Sequence, residues 1–152
     1  MAQADISIIT EQQLPAIVEL YNHVFRPPEN MDYFRRRFQG RYNVLVMLAA
    51  LDNRPVGFVI GFELKPFVFY TWLMGVAADF RRKSIGRQLI ESQNEWARNH
   101  GYEFTRFEAL NRHRPMISLA IDTSYDIVGT RWDAVRSDLL IQFEKALGEP
   151  GH

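Results

Sequence analysis

A chain of 152 residues, 47% hydrophobic and 13% aromatic, is the size at which one domain buries a single substantial core. Its 18 Lys and Arg balance 18 Asp and Glu, so no overall field draws it to nucleic acid or to an anionic membrane, and any charge effect must be local. With no cysteine, disulfides, thiolate metal sites and acyl transfer through a protein thioester are excluded; the four histidines lack paired-carboxylate spacing and give no metal signal.

The start, MAQADISIIT, has neither the basic nor the apolar region of a signal peptide, and the longest apolar run, Phe67 to Ala78, is too short to span a bilayer. A cytoplasmic, membrane-free protein is expected, with one domain over 1–147 and a flexible tail over 148–152. Asp5 to Ile9 alternates as a short strand. Thr10-Glu11 then opens a helix that carries Leu14, Ile17, Val18, Tyr21, Val24 and Phe25 at helical spacing, ended by Pro27-Pro28. A second helix covers Met31 to Phe38. Val44 to Leu51 and Val56 to Phe62 read as strands joined by the turn Asp52 to Pro55, short enough for an antiparallel hairpin, and Phe67 to Val76 is a further strand.

From Ser84 to about His100 the apolar residues Ile85, Leu89, Ile90, Trp96 and Ala97 recur at helical spacing, and Gly101 stands as a C′ glycine. A strand over Phe104 to Leu110, a helix over Arg114 to Thr123 and strands over Tyr125 to Arg131 and Leu139 to Phe143 complete the order. The fold class is therefore α/β, with a crossover helix between two strands that should be parallel neighbours.

Chemistry concentrates between the strand ending at Val76 and the helix after Ser84, in VAADFRRKSIGRQLI, where four of the seven residues from Arg81 to Arg87 are cationic. A helix N-terminus presents unpaired N–H groups and partial positive charge, so such a loop can hold a phosphate on backbone donors, and Gly86 allows close approach. These residues speak for a diphosphate without naming the compound, and a solvated basic loop is the plain alternative.

The same string resembles the pantetheine- and diphosphate-binding motif of the Gcn5-related N-acetyltransferase (GNAT) superfamily: a valine, four residues, then Gln or Arg-x-x-Gly-x-Gly and an apolar helix. Arg81 takes the leading position, Ile85 the apolar one and Gly86 the second glycine. Ser84 replaces the first glycine, at a cost on the order of 1–2 kcal/mol if the backbone there is left-handed. Downstream, Arg106 to Gly129 is similar to the family's later strand-helix-strand, with Ser124-Tyr125 in place of a usual Gly-Phe. The resemblance implies a single-domain GNAT-like fold, a central mixed sheet of about seven strands with helices on both faces. It also implies a V-shaped slot between the strand ending at Val76 and the strand around Phe107, in which acetyl-CoA (coenzyme A) serves as cosubstrate. The implied cofactor contacts are Met74, Val76, Arg81, Arg82, Lys83, Ser84, Ile85, Gly86, Arg87 and Asn111. His113 lies where many relatives carry an asparagine near the cofactor.

Acetyl transfer from a thioester to an amine needs a neutral amine, a polarised carbonyl and a protonated leaving thiolate. Glu108 is the expected base, because in one branch of the family a catalytic glutamate precedes that asparagine by the same spacing; the alternative is a pairing with Arg106, Arg112 or Arg114. Glu63 is the substitute. The histone-type glutamate position falls at Phe69. The family's usual acid, a tyrosine, is replaced by Ala120, which leaves Tyr125 as the remaining candidate, against its reading as a core residue. A backbone N–H near Val76 would polarise the carbonyl.

The first two helices form the family's acceptor wall, here Tyr21 to Phe38, and Phe25, Arg26, Tyr33, Phe34 and Arg35 to Arg37 suit an acceptor with a carboxylate or phosphate. The expected function is transfer of an acetyl group to a primary amine, on a small molecule or a peptide N-terminus. The alternative is a non-catalytic acyl-CoA-binding or sensor domain, suggested by Ala120 and the two glycine-to-serine exchanges. Acceptor identity, acyl length and assembly, a homodimer included, stay open.

Overall fold

The computed structural model describes residues 3–81 and 84–148. The described residues form seven strands and four α-helices: β1 (Asp5–Ile8), α1 (Leu14–Val24), α2 (Met31–Phe38), β2 (Leu45–Leu51), β3 (Arg54–Lys65), β4 (Val68–Val76), α3 (Ile85–Asn99), β5 (Phe104–Leu110), α4 (Arg114–Asp122), β6 (Asp126–Asp133) and β7 (Asp138–Ala146). This is the element order expected from periodicity. The strands make one mixed sheet in the order β1-β2-β3-β4-β5-β7-β6. Apart from Gly148, the expected tail lies outside the described residues.

By contact the chain forms two compact units, one of residues 1–63 and 71–93 and one of residues 64–70 and 94–152. In the first, β1 pairs antiparallel with β2, and β2 with β3. The β2–β3 turn is tighter than expected. Asp52 and Asn53 both take positive φ, 49° and 65°, the conformation of a two-residue hairpin loop, so pairing begins at once with Leu51 opposite Arg54. Pro55 stands opposite Ala50, and the register shift between Ala49 and Ala50 leaves Val56 as the extra residue of β3. The strand therefore runs past the expected Val56–Phe62 at both ends.

The core of this unit is aromatic. Leu14, Ile17, Leu20 and Tyr21 of α1 and Phe34 of α2 pack with Val46, Phe58 and Ile60. Tyr21 meets Phe34 edge-on at 5.3 Å between centroids, a preferred ring geometry. A 3₁₀ turn at Glu11–Gln13 precedes α1, closed by the reciprocal capping box of Thr10 and Gln13.

In the second unit β4 and β5 pair in parallel, Val68 with Phe104 through Tyr70 with Arg106, as the crossover helix requires. β5 pairs antiparallel with β7, and β7 with the edge strand β6. Phe69, Tyr102, Phe107 and Phe143 supply its buried rings. Helices α3 and α4 end alike. Tyr102 N–H bonds to Ala97 O and Gly101 N–H to Arg98 O; Tyr125 N–H bonds to Ala120 O and Ser124 N–H to Ile121 O. Both are Schellman ends, whose C′ residue must be left-handed, and Gly101 has φ 88° while Ser124 has φ 68°.

Candidate active site

In the first unit, the end of β4 and the start of α3 are held together by close packing. A Cβ on Gly57 of β3 would lie 3.1 Å from Gly75 O, from Ile85 Cγ2 and from Leu89 Cδ1, so the first turn of α3 rests directly on backbone. A Cβ on Gly75 would lie 2.9 Å from Phe58 Cε1 and 3.0 Å from Phe25 Cε2, closer than real side chains approach. Further along α3, Thr71 Oγ1 donates to Gln93 Oε1 at 2.8 Å with both residues buried.

Strand β4 does not keep a strict two-residue alternation. Phe69 turns its ring to Trp96 and Thr71 its hydroxyl to Gln93, both on α3, while Trp72 packs against the α1–α2 cluster. Leu73 also packs against that cluster, and a Cβ on Gly75 would meet its members Phe58 and Phe25. Side chains at 72 and 75 sharing a side marks a slip of one residue, the effect of a bulge.

After β4, Arg81 folds back and its Nε donates to Val76 O at 3.1 Å, while Ala77 N–H bonds to Val56 O at 2.8 Å. Arg82 and Lys83 lie outside the described residues. Ser84 has φ 61°, the left-handed conformation that the missing glycine would have taken without strain. Its carbonyl accepts the first bond of α3, from Gln88 N–H at 3.0 Å, and its Oγ accepts Gln88 Nε2 at 3.0 Å. Gln88 Oε1 in turn accepts the Ala4 N–H at 2.8 Å. Ile85 is 1% exposed, so its side chain belongs to the core. Arg87 is exposed and pairs along the helix with Glu91 at 3.6 Å. Met74 and Val76 are half-buried on β4, and Glu63 is half-buried near the end of β3, its N–H bonded to Tyr42 O at 2.9 Å.

The two serines sort by their partners. Ser84→Gly relieves left-handed strain but loses the bond from Gln88, a net change within about 0.5 kcal/mol of zero. Ser124 is exposed and its side chain makes no hydrogen bond among the described residues, so Ser124→Gly gains roughly 0.5–1 kcal/mol. Chemical denaturation of both variants checks this; a larger gain at Ser84 than at Ser124 would contradict the assigned roles.

The remaining expected residues belong to the second unit. Glu108 on β5 pairs with none of the three arginines considered from sequence. Arg131 of β6 grips it in a bidentate fork, Nε at 2.8 Å and Nη2 at 3.0 Å, and Gln142 Nε2 adds a bond at 3.2 Å. The hydrogen bond from Arg131 is the main cause that holds the Glu108 carboxyl below its ordinary range, against the opposing effect of burial. Arg131 is raised in turn, chiefly by the same bond. A carboxylate stabilised in its charged form is a poorer base. Because its folded pKa is depressed, its contribution to stability is present above the ordinary carboxylate range and is lost as pH falls through the folded value.

Tyr125 is 6% exposed, with its ring on Phe107 at 4.9 Å and its hydroxyl bonded to Asn94 at 3.0 Å and Thr105 at 2.9 Å. Burial raises its pKa, which makes it a weaker acid. This is the arrangement of a core tyrosine, the alternative that the sequence left beside the acid role. Asn111 donates its N–H to Leu139 O at 2.8 Å, and His113 is the exposed residue before α4, its carbonyl accepting from Met116 and Ile117 N–H. Sequence reading missed Arg131, Asn94 and Thr105, which approach their partners only through strand pairing and the crossover.

The comparisons agree with this frame. No curated relative matches the sequence. Among solved structures, the ribosomal-protein-S18-alanine N-acetyltransferase from Escherichia coli is similar in fold at 16% identity, covering 99% of this chain and 97% of its own, with a TM-score of 0.83. The ribosomal-protein-alanine N-acetyltransferase from Brucella melitensis matches at 19% identity, 93% and 99% coverage and a TM-score of 0.76. The IAA acetyltransferase from Bacillus cereus matches at 16%, 95% and 99%, with 0.79. The model of the acetyltransferase (GNAT) family matches residues 14–120, from the first helix through β4 and α3 to Ala120. The chain therefore belongs to the GNAT acetyltransferase family, whose acyl donor is acetyl-CoA.

Proposed function

We propose that this protein transfers the acetyl group of acetyl-CoA directly to a primary amine, on a small molecule or on a peptide N-terminus. The observation that carries the reading is the β4–α3 junction, where the Arg81 to Gly86 motif enters α3 through a left-handed Ser84. In this reading the diphosphate rests on backbone N–H groups at the start of α3. The Nε bond of Arg81 to Val76 O leaves both terminal nitrogens of that guanidinium as further donors. The slip in β4 beside Gly75 supports thioester binding there, since an extra residue turns backbone groups out of the ladder.

The amine nitrogen attacks the thioester carbon, the C–N bond forms as the C–S bond breaks, and coenzyme A leaves as a thiolate that takes up a proton. With Tyr125 in the core and Ala120 in the usual acid position, no side-chain acid is assigned. A free thiol has a pKa of about 8.5, so its thiolate leaves without one. Of the two carboxylates considered as bases, Glu108 is held charged by Arg131, and the role falls to Glu63, which shares a unit with the cofactor loop. Glu63→Gln should lower kcat by about 100-fold or more, the usual worth of a general base, while Glu108→Gln keeps kcat within about threefold. The reverse pattern would return Glu108 to the base role.

The sensor alternative draws no support from the serines, because α3 starts and α4 ends in regular geometry around them. An amine panel with saturating acetyl-CoA, followed by release of free thiol, tests the function. If acetyl-CoA binds and no primary amine releases coenzyme A, acetyl transfer to amines is the wrong reading.

No described helix is long and apolar enough to cross a membrane.

A further inference from the structure

Helix α2 ends in Arg35-Arg36-Arg37, and Arg41 follows shortly after its C-terminus. The guanidinium of Arg37 lies 4.9 Å from the centre of the Trp72 ring and that of Arg41 4.5 Å from the Phe62 ring. Those two rings are neighbours, with centroids 6.5 Å apart and planes 34° apart. Tyr33 and Phe38 pack against Trp72 at 5.7 and 6.3 Å and extend the aromatic floor. Two cations from different segments are thus laid on adjoining rings.

Neither is neutralised by an acid. Arg35 pairs with Glu11 at 3.3 Å, whereas Arg37 and Arg41 form no ion pair among the described residues. Stacking fixes the plane of each guanidinium and leaves its edge N–H groups to a ligand, the arrangement that suits bidentate binding of a carboxylate or phosphate. Both arginines line a hollow of about 490 Å³ with Tyr33, Arg36, Glu29 and Asp32. The hollow carries both signs of charge, which suits a ligand that has an amine as well as an oxyanion.

We infer that this hollow recognises the acceptor, and that the acceptor is a primary amine that also carries a carboxylate or phosphate, held by Arg37 and Arg41. The inference rests on the acetyl-transfer reading above. It goes further by placing the anion on Arg37 and Arg41 and by naming Arg41, Trp72 and Phe62, none of which sequence reading placed on the acceptor side.

The test compares kcat/KM for acceptor pairs that differ only in the anion: glycyl-glycine against glycyl-glycinamide, and phosphoethanolamine against ethanolamine. The anionic member is preferred by at least about tenfold, the factor expected from a charge-assisted bidentate contact, and the pair with the larger ratio distinguishes carboxylate from phosphate. In an Arg37→Gln/Arg41→Gln variant the preference disappears while acetyl-CoA affinity by calorimetry stays within about twofold, since the anion and the cofactor loop make separate contacts. Equal use of neutral and anionic acceptors by the wild type, or a preference that survives in the variant, overturns the inference.

A second arm needs no turnover. Trp72 lies under Arg37, so glutarate or inorganic phosphate bound there changes its fluorescence, and Trp72→Phe removes the change. If no amine is acetylated but this signal appears in the wild type and is absent in the arginine variant, the anion site stands and the acetyl-transfer reading fails. A silent Trp72 together with no anion preference in turnover rejects the site.

Discussion

Replacing Gly86 by glutamate lowers acetyl-CoA affinity about a hundredfold or more, on the order of 3 kcal/mol, in a protein that still folds. Gly86 is the second residue of α3, half-buried, one position after the fully packed Ile85. A carboxylate there meets the diphosphate at the place where unpaired N–H groups would otherwise receive it. At an effective dielectric near 20 two like charges about 4 Å apart repel by about 4 kcal/mol, and screening by salt takes back only part of this. The same substitution is benign for the helix, since an acid in the first turn interacts favourably with the helix dipole. Loss of affinity therefore separates from loss of fold. Calorimetry beside a thermal melt reads both, and unchanged affinity in a folded variant would remove the cofactor from this loop.

Sequence carried the local half of this site well. The positions where serine stands for a family glycine, 84 and 124, both have positive φ; at 124 the Schellman exit demands a left-handed residue, and at 84 the turn into α3 adopts one. The crossover connection was legible too, since an apolar helix between two strands forces them parallel. What failed to show was any contact set by register. Glu108 was weighed against arginines within six residues of it, but the guanidinium that holds it comes from β6, 23 residues away, because β5, β7 and β6 lie side by side. Tyr125, just before β6, finds Asn94 on α3 and Thr105 on β5 at separations of 31 and 20, the first through the crossover helix and the second through the sheet. Long-range pairs of this kind carry no periodic signal in the chain.

Alternation breaks down at β4. A strict two-residue period assigns positions 72 and 75 to opposite faces, and the slip between them puts both towards the α1–α2 cluster. That slip brings Gly75 against Phe25 and Phe58 and leaves Trp72 under Arg37. One irregular strand thus shapes both the proposed thioester position and the floor of the proposed anion site.

Ala120→Tyr destabilises the protein by roughly 1–3 kcal/mol and does not raise turnover. The resemblance makes this the position of the family's usual acid, from which a restored phenol would protonate the leaving thiolate and raise, or at least not abolish, turnover, against a steric cost in the slot. The packing around Ala120 weighs towards the steric side. Ala120 is 0% exposed, and its carbonyl accepts the Tyr125 N–H at 2.9 Å in the Schellman end of α4. A phenol has no space at a methyl that is fully enclosed, so the ring must displace neighbours or push α4 outward. Thermal unfolding should fall by about 2–4 °C for each kcal/mol lost in a protein of this size. The solvent isotope effect on kcat, measured with saturating acceptor, reads the chemistry independently of stability. It should match the wild type, because a thiol with a pKa near 8.5 departs without a donor. A variant that melts at the wild-type temperature and turns over faster would show that α4 opens at Ala120 during the reaction, and that the missing acid limits the natural rate.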